Sequence, residues 1–151
     1  MAQPLLIMVL REGVRWFNER LNDTAAANDE PRISGAAAIV LSFLQPEGSR
    51  PAEIAHAMGV SRQHVHTVVR ELTTAGILTT APDPTSGRDR LIVLTPDGEQ
   101  RRRRAVTQLA TLEDELAQRL DPGELEQVRQ TLARLWSPTS NSKSGQRPDV
   151  S

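Results

Sequence analysis

Pro51-Ala52-Glu53-Ile54-Ala55-His56-Ala57-Met58-Gly59-Val60-Ser61-Arg62-Gln63-His64-Val65-His66-Thr67-Val68-Val69-Arg70-Glu71-Leu72 is the stretch from which the rest of the chain becomes readable. Proline suits the first position of a helix, where its missing N–H costs nothing. Ile54, Ala55 and Met58 give that helix one apolar face, and Gly59 supplies the left-handed residue that ends it. Val60 fills the turn. Ser61 is a good N-cap, and the helix it opens is predicted to run to about Ala75, with Val65, Val68, Val69 and Leu72 inward and Gly76 as its stop. Two short helices joined by a tight glycine turn form a unit whose second helix can protrude into a major groove.

What that second helix exposes is therefore the test. With the valines and Leu72 inside, the outward positions are Arg62, Gln63, His66, Thr67 and Arg70, with His64 at the margin. Arginine pairs with guanine, glutamine with adenine, and threonine with a phosphate or a thymine methyl. Ser61 and the free N–H groups of the helix start suit a backbone phosphate. The plain alternative is a solvated face that is polar because exposed faces are. Here a single acid, Glu71, stands beside two arginines and two histidines, which favours a nucleic-acid partner.

Beyond Gly76 the periodicity changes. Ile77 to Ala81 and Arg90 to Thr95 are short and rich in β-branched residues, and Pro82-Asp83-Pro84-Thr85-Ser86-Gly87 between them is dense in turn formers, which predicts a β-hairpin with a protruding loop. Thr95-Pro96-Asp97 restarts a helix, continued by Val106, Leu109, Leu112, Leu116 and Leu120. Asp121-Pro122-Gly123-Glu124 starts another, striped by Leu125, Val128, Leu132 and Leu135. Upstream, Leu6, Leu10, Val14, Phe17 and Leu21 predict an amphipathic helix over residues 3–22, broken by the stretch Asn22 to Pro31. Ser34 then caps a helix that buries Ala37, Val40, Leu41 and Leu44. The expected fold is mainly α with a small β-hairpin wing: a winged helix-turn-helix domain flanked by long dimerisation helices. Residues 1–31 form the N-terminal helix and linker, 32–98 the winged domain, 99–136 the C-terminal helices, and 137–151 a disordered tail.

Pro51 to Ala55, Met58 to Arg62, Val69 to Leu72, Ala75 to Leu78, Asp83 to Thr85, Gly87 to Arg90 and Leu94 to Gly98 also fall in the order and spacing of a known family. The chain resembles the MarR family (multiple antibiotic resistance regulators) over residues 31–104, and with the flanking helices over about 3–136. The resemblance implies a homodimer in which the first and last two helices interlock, with two winged domains on a palindromic operator in double-stranded DNA. It implies a transcriptional regulator, a repressor, released by a small-molecule effector such as an apolar or phenolic acid. It also implies a wing arginine in the adjacent minor groove, a position that Arg88 matches, with Arg90 beside it on the wing. This sequence departs from the family at Ser86, where an acid that pairs with the wing arginine is usual: either Asp89 takes its place or the wing is looser. Arg50 stands where a small capping residue is commoner, and is free to contact phosphate.

Composition limits the other readings. The chain of 151 residues has no cysteine, which removes disulfides, thiolate catalysis and thiolate metal sites. His64 and His66 are roughly 200° apart around a helix, and His56 has no matching partner, so no metal site is expected. No nucleophile elbow, phosphate-cradling glycine loop or metalloprotease motif occurs. The expectation is therefore no catalytic residue, no cofactor and no enzyme. The formal net charge is -1, yet residues 32–104 carry ten arginines against seven acids, between more acidic flanks. Arg101 to Arg104 point almost all round a helix and are expected to be a solvated helix start. Trp16 and Phe17 are expected in a core or at a cavity edge. No apolar run approaches the ~20 residues of a membrane span, and no signal peptide is recognised, which places the expected protein in the cytoplasm. The alternatives are a winged-helix module for protein contact, which calls for an apolar or acidic exposed helix, and a regulator of another winged-helix family.

Overall fold

In a computed structural model, which describes residues 3–136, six helices and one hairpin follow in the order α1 (Leu6–Ala27), α2 (Gly35–Phe43), α3 (Pro51–Met58), α4 (Arg62–Thr74), β1 (Leu78–Pro82), β2 (Arg90–Leu94), α5 (Pro96–Ala117) and α6 (Glu124–Trp136). The chain divides into two compact units at Leu112, within α5. The tail expected from residue 137 lies outside the described residues.

The core of the first unit is the helix-turn-helix and its wing. Ala37 and Val40 from α2 and Leu44 just after it, Ile54 and Ala55 from α3, and Val65, Val68 and Leu72 from α4 close on Ile77 ahead of the hairpin and on Leu78 and Ile92 within it, all of them buried. The predicted inward positions of α4 are thus the inward ones, with Val69 half-buried at the edge. Gly59 adopts φ +66° between α3 and α4, a conformation that a side chain disfavours. The hairpin is antiparallel with Leu78 opposite Leu94 and Pro82 opposite Arg90. A third segment joins it, because Ser49 exchanges both backbone hydrogen bonds with Ile92, at 3.0 and 2.9 Å.

The first helix corrects the sequence reading. It does not break at Asn22 but continues to Ala27. Asparagine disfavours helices when its side chain competes for nearby backbone groups. Here the Asn22 amide instead donates to the Ile33 carbonyl and its oxygen accepts from the Ile33 N–H, both at 2.9 Å, so the side chain binds the returning chain. The alanines that follow are good helix formers, and the helix ends where Asp29 turns left-handed at φ +57°. The start of α1 covers little: Leu5, Leu6, Ile7, Met8 and Val9 are all about half exposed or more.

In the second unit, the end of α5 and α6 are tied by Arg129, which bridges Glu113 at 2.9 Å and Glu126 at 3.1 Å. No residue of α6 is buried, and Val128, Leu135 and Trp136 stand exposed.

Thr95 seats the beginning of α5 on the turn after α4. Its hydroxyl oxygen accepts from the Gly98 N–H at 2.9 Å and its proton goes to the Gly76 carbonyl at 2.6 Å. The approach is so close that a Cβ on Gly98 would lie 2.1 Å from the Ile77 carbonyl oxygen. In an open helix interior, exchanging glycine for alanine stabilises by up to about 1 kcal/mol. Gly98→Ala is expected to do the reverse, costing about 1–3 kcal/mol as an overpacked position does. Urea unfolding of the variant beside the wild type measures the sign.

Candidate nucleic-acid interface

Burial of Val65, Val68 and Leu72 leaves the opposite arc of α4 to solvent. Arg62, Gln63, His66, Thr67 and Arg70 fall within roughly 140° of one another at 100° per residue, and all are exposed, as are Ser61 and His64 at the helix start. The Ser61 oxygen accepts from the His64 N–H at 3.1 Å, so the predicted cap is present. The Thr67 hydroxyl donates to the Gln63 carbonyl at 3.0 Å, which leaves its methyl and an oxygen lone pair to face outward. Among the described residues, the side chains of Arg62, Gln63, His66 and Arg70 have no hydrogen-bonding partner, so their donors are available to a ligand.

Glu71, the one acid on this helix, is turned away from the exposed arc. Its carboxylate accepts from both the backbone N–H and the hydroxyl of Ser34, each at 2.9 Å, while the Ser34 oxygen caps α2 by accepting from the Ala37 N–H at 3.1 Å. The acid that diluted the basic pattern in the sequence is thus a brace between α4 and α2.

The fold brings the wing to the same side. Arg62 and His66 of α4, Arg88 and Arg90 of the wing, and the start of α3 line one open cleft of about 460 Å³. Arg88 is exposed, and among the described residues it has no ion pair. Arg90 is exposed but braced: its Nε donates to the Thr80 hydroxyl at 3.1 Å and a terminal nitrogen to the Thr80 carbonyl at 3.3 Å. Asp89 does not pair with Arg88. The Asp89 N–H instead donates to the Ser86 hydroxyl at 3.3 Å.

The acid that holds the wing is Asp83, which sequence reasoning passed over as a turn former. Its side chain is 3% exposed and is bonded to Arg50. Hydrogen bonds from the Thr85 hydroxyl and N–H, together with Arg50, hold its carboxyl below the usual aspartate range. A depressed carboxylate pKa contributes stability that is complete above the ordinary value of 3.8 and fades as pH falls through the folded value, so the pair is intact at neutral pH.

A second feature of the unit is a mostly apolar cavity of about 220 Å³ between α1, α2 and the first half of α5, lined by Leu21, Ala25, Ile33, Leu41, Ile77, Leu94 and Leu109 among others. Arg101 and Arg104 reach its edge. Both were expected in solvent, but they lie one turn apart on the face toward the linker between α1 and α2. Arg101 donates to the Pro31 carbonyl at 2.7 Å, and Arg104 pairs with Glu30. The Arg104 Nε is buried without a partner. Arg102 bonds Glu99 at 2.9 Å, and Arg103 is exposed as expected. Trp16 and Phe17 meet edge to face, 4.9 Å between ring centres, and do not line this cavity. No group of three potential metal ligands occurs among the described residues, and no helix among them is long and apolar enough to cross a membrane.

Residues 33–89 match the MarR_2 model of the MarR family. A search of curated proteins by sequence finds no match. Among solved structures, the chain is similar to apo MarR from E. coli, with a TM-score of 0.66 and 17% identity over 90% of this chain and 100% of that one. It is similar to the S. aureus MepR–DNA complex, with a TM-score of 0.65 and 17% identity over 88% and 97% of the two chains. CouR from Rhodococcus jostii RHA1, bound to p-coumaroyl-CoA, gives a TM-score of 0.63 and 22% identity over 87% and 91%. At such identities the likeness establishes a shared fold, the winged helix of MarR structures.

The Glu71 brace predicts a contrast between neighbours on α4. Glu71→Ala is expected to cost about 1–2 kcal/mol, since two donors on Ser34 lose a charged acceptor. Arg70→Ala, one residue away and unpartnered, is expected to stay within about 0.5 kcal/mol of wild type. Thermal or urea unfolding of the two variants checks it.

Proposed function

We propose that this chain, whose residues 33–89 match the model of the MarR family, is a member of that family and a dimeric, sequence-specific regulator of transcription that binds double-stranded DNA and acts as a repressor. The observation that carries this reading is the exposed, basic arc of α4, on which Arg62, Gln63, His66 and Arg70 have no side-chain hydrogen-bonding partner among the described residues, with Arg62 and His66 sharing one cleft with Arg88, which has no ion pair there either. A helix face with free guanidinium and amide donors next to a protruding basic hairpin suits a major groove and the minor groove that flanks it. The S. aureus MepR structure of the same fold was determined as a DNA complex.

In this reading Arg62, Gln63, His66, Thr67 and Arg70 face base edges and backbone, with His64 at the margin. Ser61 and the N-terminus of α4 hold a phosphate, and Arg88 and Arg90 serve the wing. Thr67, with its proton engaged by Gln63, offers its methyl to thymine. Two such helices related by a dimer axis engage a palindrome with half-sites about 10 base pairs apart, centre to centre. Gln63→Ala is expected to weaken operator binding by about 1–3 kcal/mol per half-site and to relax sequence preference. Arg88→Ala is expected to weaken operator and scrambled duplexes more evenly and to flatten the salt dependence by about one unit per lost phosphate contact. A salt titration with both duplexes decides between them. Loss of specificity in Arg88→Ala alone would reverse the two roles, and no effect of either would remove the DNA-binding reading in favour of a protein partner.

The dimer rests on apolar surface that one chain leaves uncovered. The stretch Leu5 to Val9 ahead of and within α1, and Val128, Leu135 and Trp136 on α6, are exposed, and exposed apolar patches mark association. Light scattering at micromolar concentration is expected to give twice the chain mass of 16.6 kDa, and a single-chain mass would overturn the dimer.

Release by a small molecule is supported by the apolar cavity with the unsatisfied Arg104 Nε at its edge, a combination suited to an apolar or phenolic acid. CouR, of similar fold, holds p-coumaroyl-CoA. Such a ligand shifts DNA affinity only by as much as it prefers one spacing of the two winged domains over another.

A further inference from the structure

Arg50 occupies the junction of three elements. Its N–H donates to Glu53 Oε2 at 3.0 Å and its carbonyl accepts from the Glu53 and Ile54 N–H groups, which fixes it as the first residue outside α3. The residue before it, Ser49, is paired to Ile92 on β2. With its backbone held on both sides, the side chain reaches across to the far strand. The Arg50 Nε donates to Asp83 Oδ2 at 2.7 Å and a terminal nitrogen lies 2.5 Å from the same oxygen. That terminal nitrogen also donates to the Thr85 hydroxyl at 3.0 Å, and Thr85 passes its proton to Asp83 Oδ1 at 2.7 Å. The ring of bonds is closed.

Asp83 is where the hairpin leaves β1, and its N–H donates to the Asp89 carbonyl at 3.1 Å, so residues 83–89 are the tip of the wing. Arg88 is part of that tip. Among the described residues, Arg50–Asp83 is the only ion pair that joins the wing to the helix-turn-helix. Two guanidinium nitrogens converge on one carboxylate oxygen while Thr85 holds the other, so the contact sets an angle and not merely a proximity.

We propose that Arg50 is a positioning residue that clamps the wing tip to the start of α3, so that Arg88 and the α4 face meet DNA in a fixed relation. The proposal rests on the DNA-binding reading for its consequence, but the clamp itself is a property of the free protein. Without it, the tip would have to be ordered at the moment of binding, and the entropy of ordering that loop would be subtracted from affinity. Arg50 also lines the cleft shared by Arg62 and Arg88, which raises the competing role of a direct phosphate contact. The two roles make opposite demands on Asp83. Releasing Arg50 from its acid helps a phosphate contact and harms a clamp.

The experiment compares Arg50→Ala, Asp83→Asn, Arg88→Ala and the doubles of Arg50→Ala with Arg88→Ala and with Arg62→Ala. Operator affinity, hydroxyl-radical footprints and amide hydrogen exchange of the free protein are the readouts. Arg50→Ala and Asp83→Asn are each expected to weaken the operator about tenfold and to erase protection of the outer minor grooves while the central protection stays. Adding Arg50→Ala to Arg88→Ala is expected to change affinity by less than about twofold, because both remove one contact, whereas with Arg62→Ala the losses multiply. Arg50→Lys, which keeps the charge but not the fork, is expected to recover only part of the affinity. Faster exchange at the amides of residues 83–89, with α4 unchanged, is expected in both single variants. Unchanged or tighter binding by Asp83→Asn while Arg50→Ala weakens it would make Arg50 a phosphate contact and overturn the clamp. Wild-type exchange at the wing tip in Arg50→Ala would overturn it too. Failure of the wild type to bind any duplex would remove the DNA reading, and the exchange arm would still decide the clamp.

Discussion

Val65, Val68 and Leu72 lie along one side of α4 and are sealed against α2, α3 and the root of the hairpin. That buried arc determines which residues of the helix reach solvent. Three apolar side chains at helical spacing set the rotation of α4 about its own axis to within a few tens of degrees, since any other rotation would expose them and bury arginine. Glu71 then pins the helix end by a charged contact with Ser34, whose oxygen caps α2. Packing sets the rotation and the brace ties two helices at one point. The polar arc owes its orientation to residues that never face a ligand.

The wing obeys a different constraint. Two strands with a loop of small and polar residues bury too little to hold a direction, and a lone hairpin is marginal in water. The chain meets this by attaching each strand to the segment ahead of α3. Ser49 binds β2 through its backbone, and Arg50 binds the end of β1 through Asp83. Ser86 occupies the position where the family resemblance leads one to expect an acid, and the acid that shapes this wing comes from three residues earlier. Among the described residues, Arg88 is left without an ion-pair partner. A guanidinium already paired with a carboxylate would have to give up that partner before it met phosphate, so its unpaired state supports the role proposed for it.

The linker between α1 and α2 gathers charge at the edge of the apolar cavity. Asn22 stitches it to α1 through Ile33, and Arg101 and Arg104 of α5 bind Pro31 and Glu30. Burial lowers the pKa of Arg101 from its ordinary value, but an arginine remains charged at neutral pH. A cation held against an apolar wall is stable only while its partners stay in place. Glu30 engages a terminal nitrogen of Arg104 and leaves its buried Nε without a partner among the described residues.

The helix-turn-helix, the hairpin and the α4 face were legible because each rests on local rules. A proline at the first helical position, a left-handed glycine, a serine cap and apolar residues at spacings of three and four act within a dozen residues, and they specify both the elements and the side each one buries. The inward set of α4 and the exposure of Arg62, Gln63, His66, Thr67 and Arg70 follow from that pattern alone. What escaped the sequence is what depends on partners far along the chain. Asn22 looked like a break because its helix-competing tendency is local, whereas its bond to Ile33 is not. Arg101 and Arg104 looked solvated because nothing nearby in sequence marks Glu30 as their partner. Asp83 looked like one more turn residue, and Arg50 like a misplaced cap. They become a pair only when folding brings residues 33 positions apart to hydrogen-bonding distance. A repeating pattern carries the direction of burial but no information about which two charges will meet, since many pairings are compatible with the same amphipathic stripes, and only the packed structure selects one.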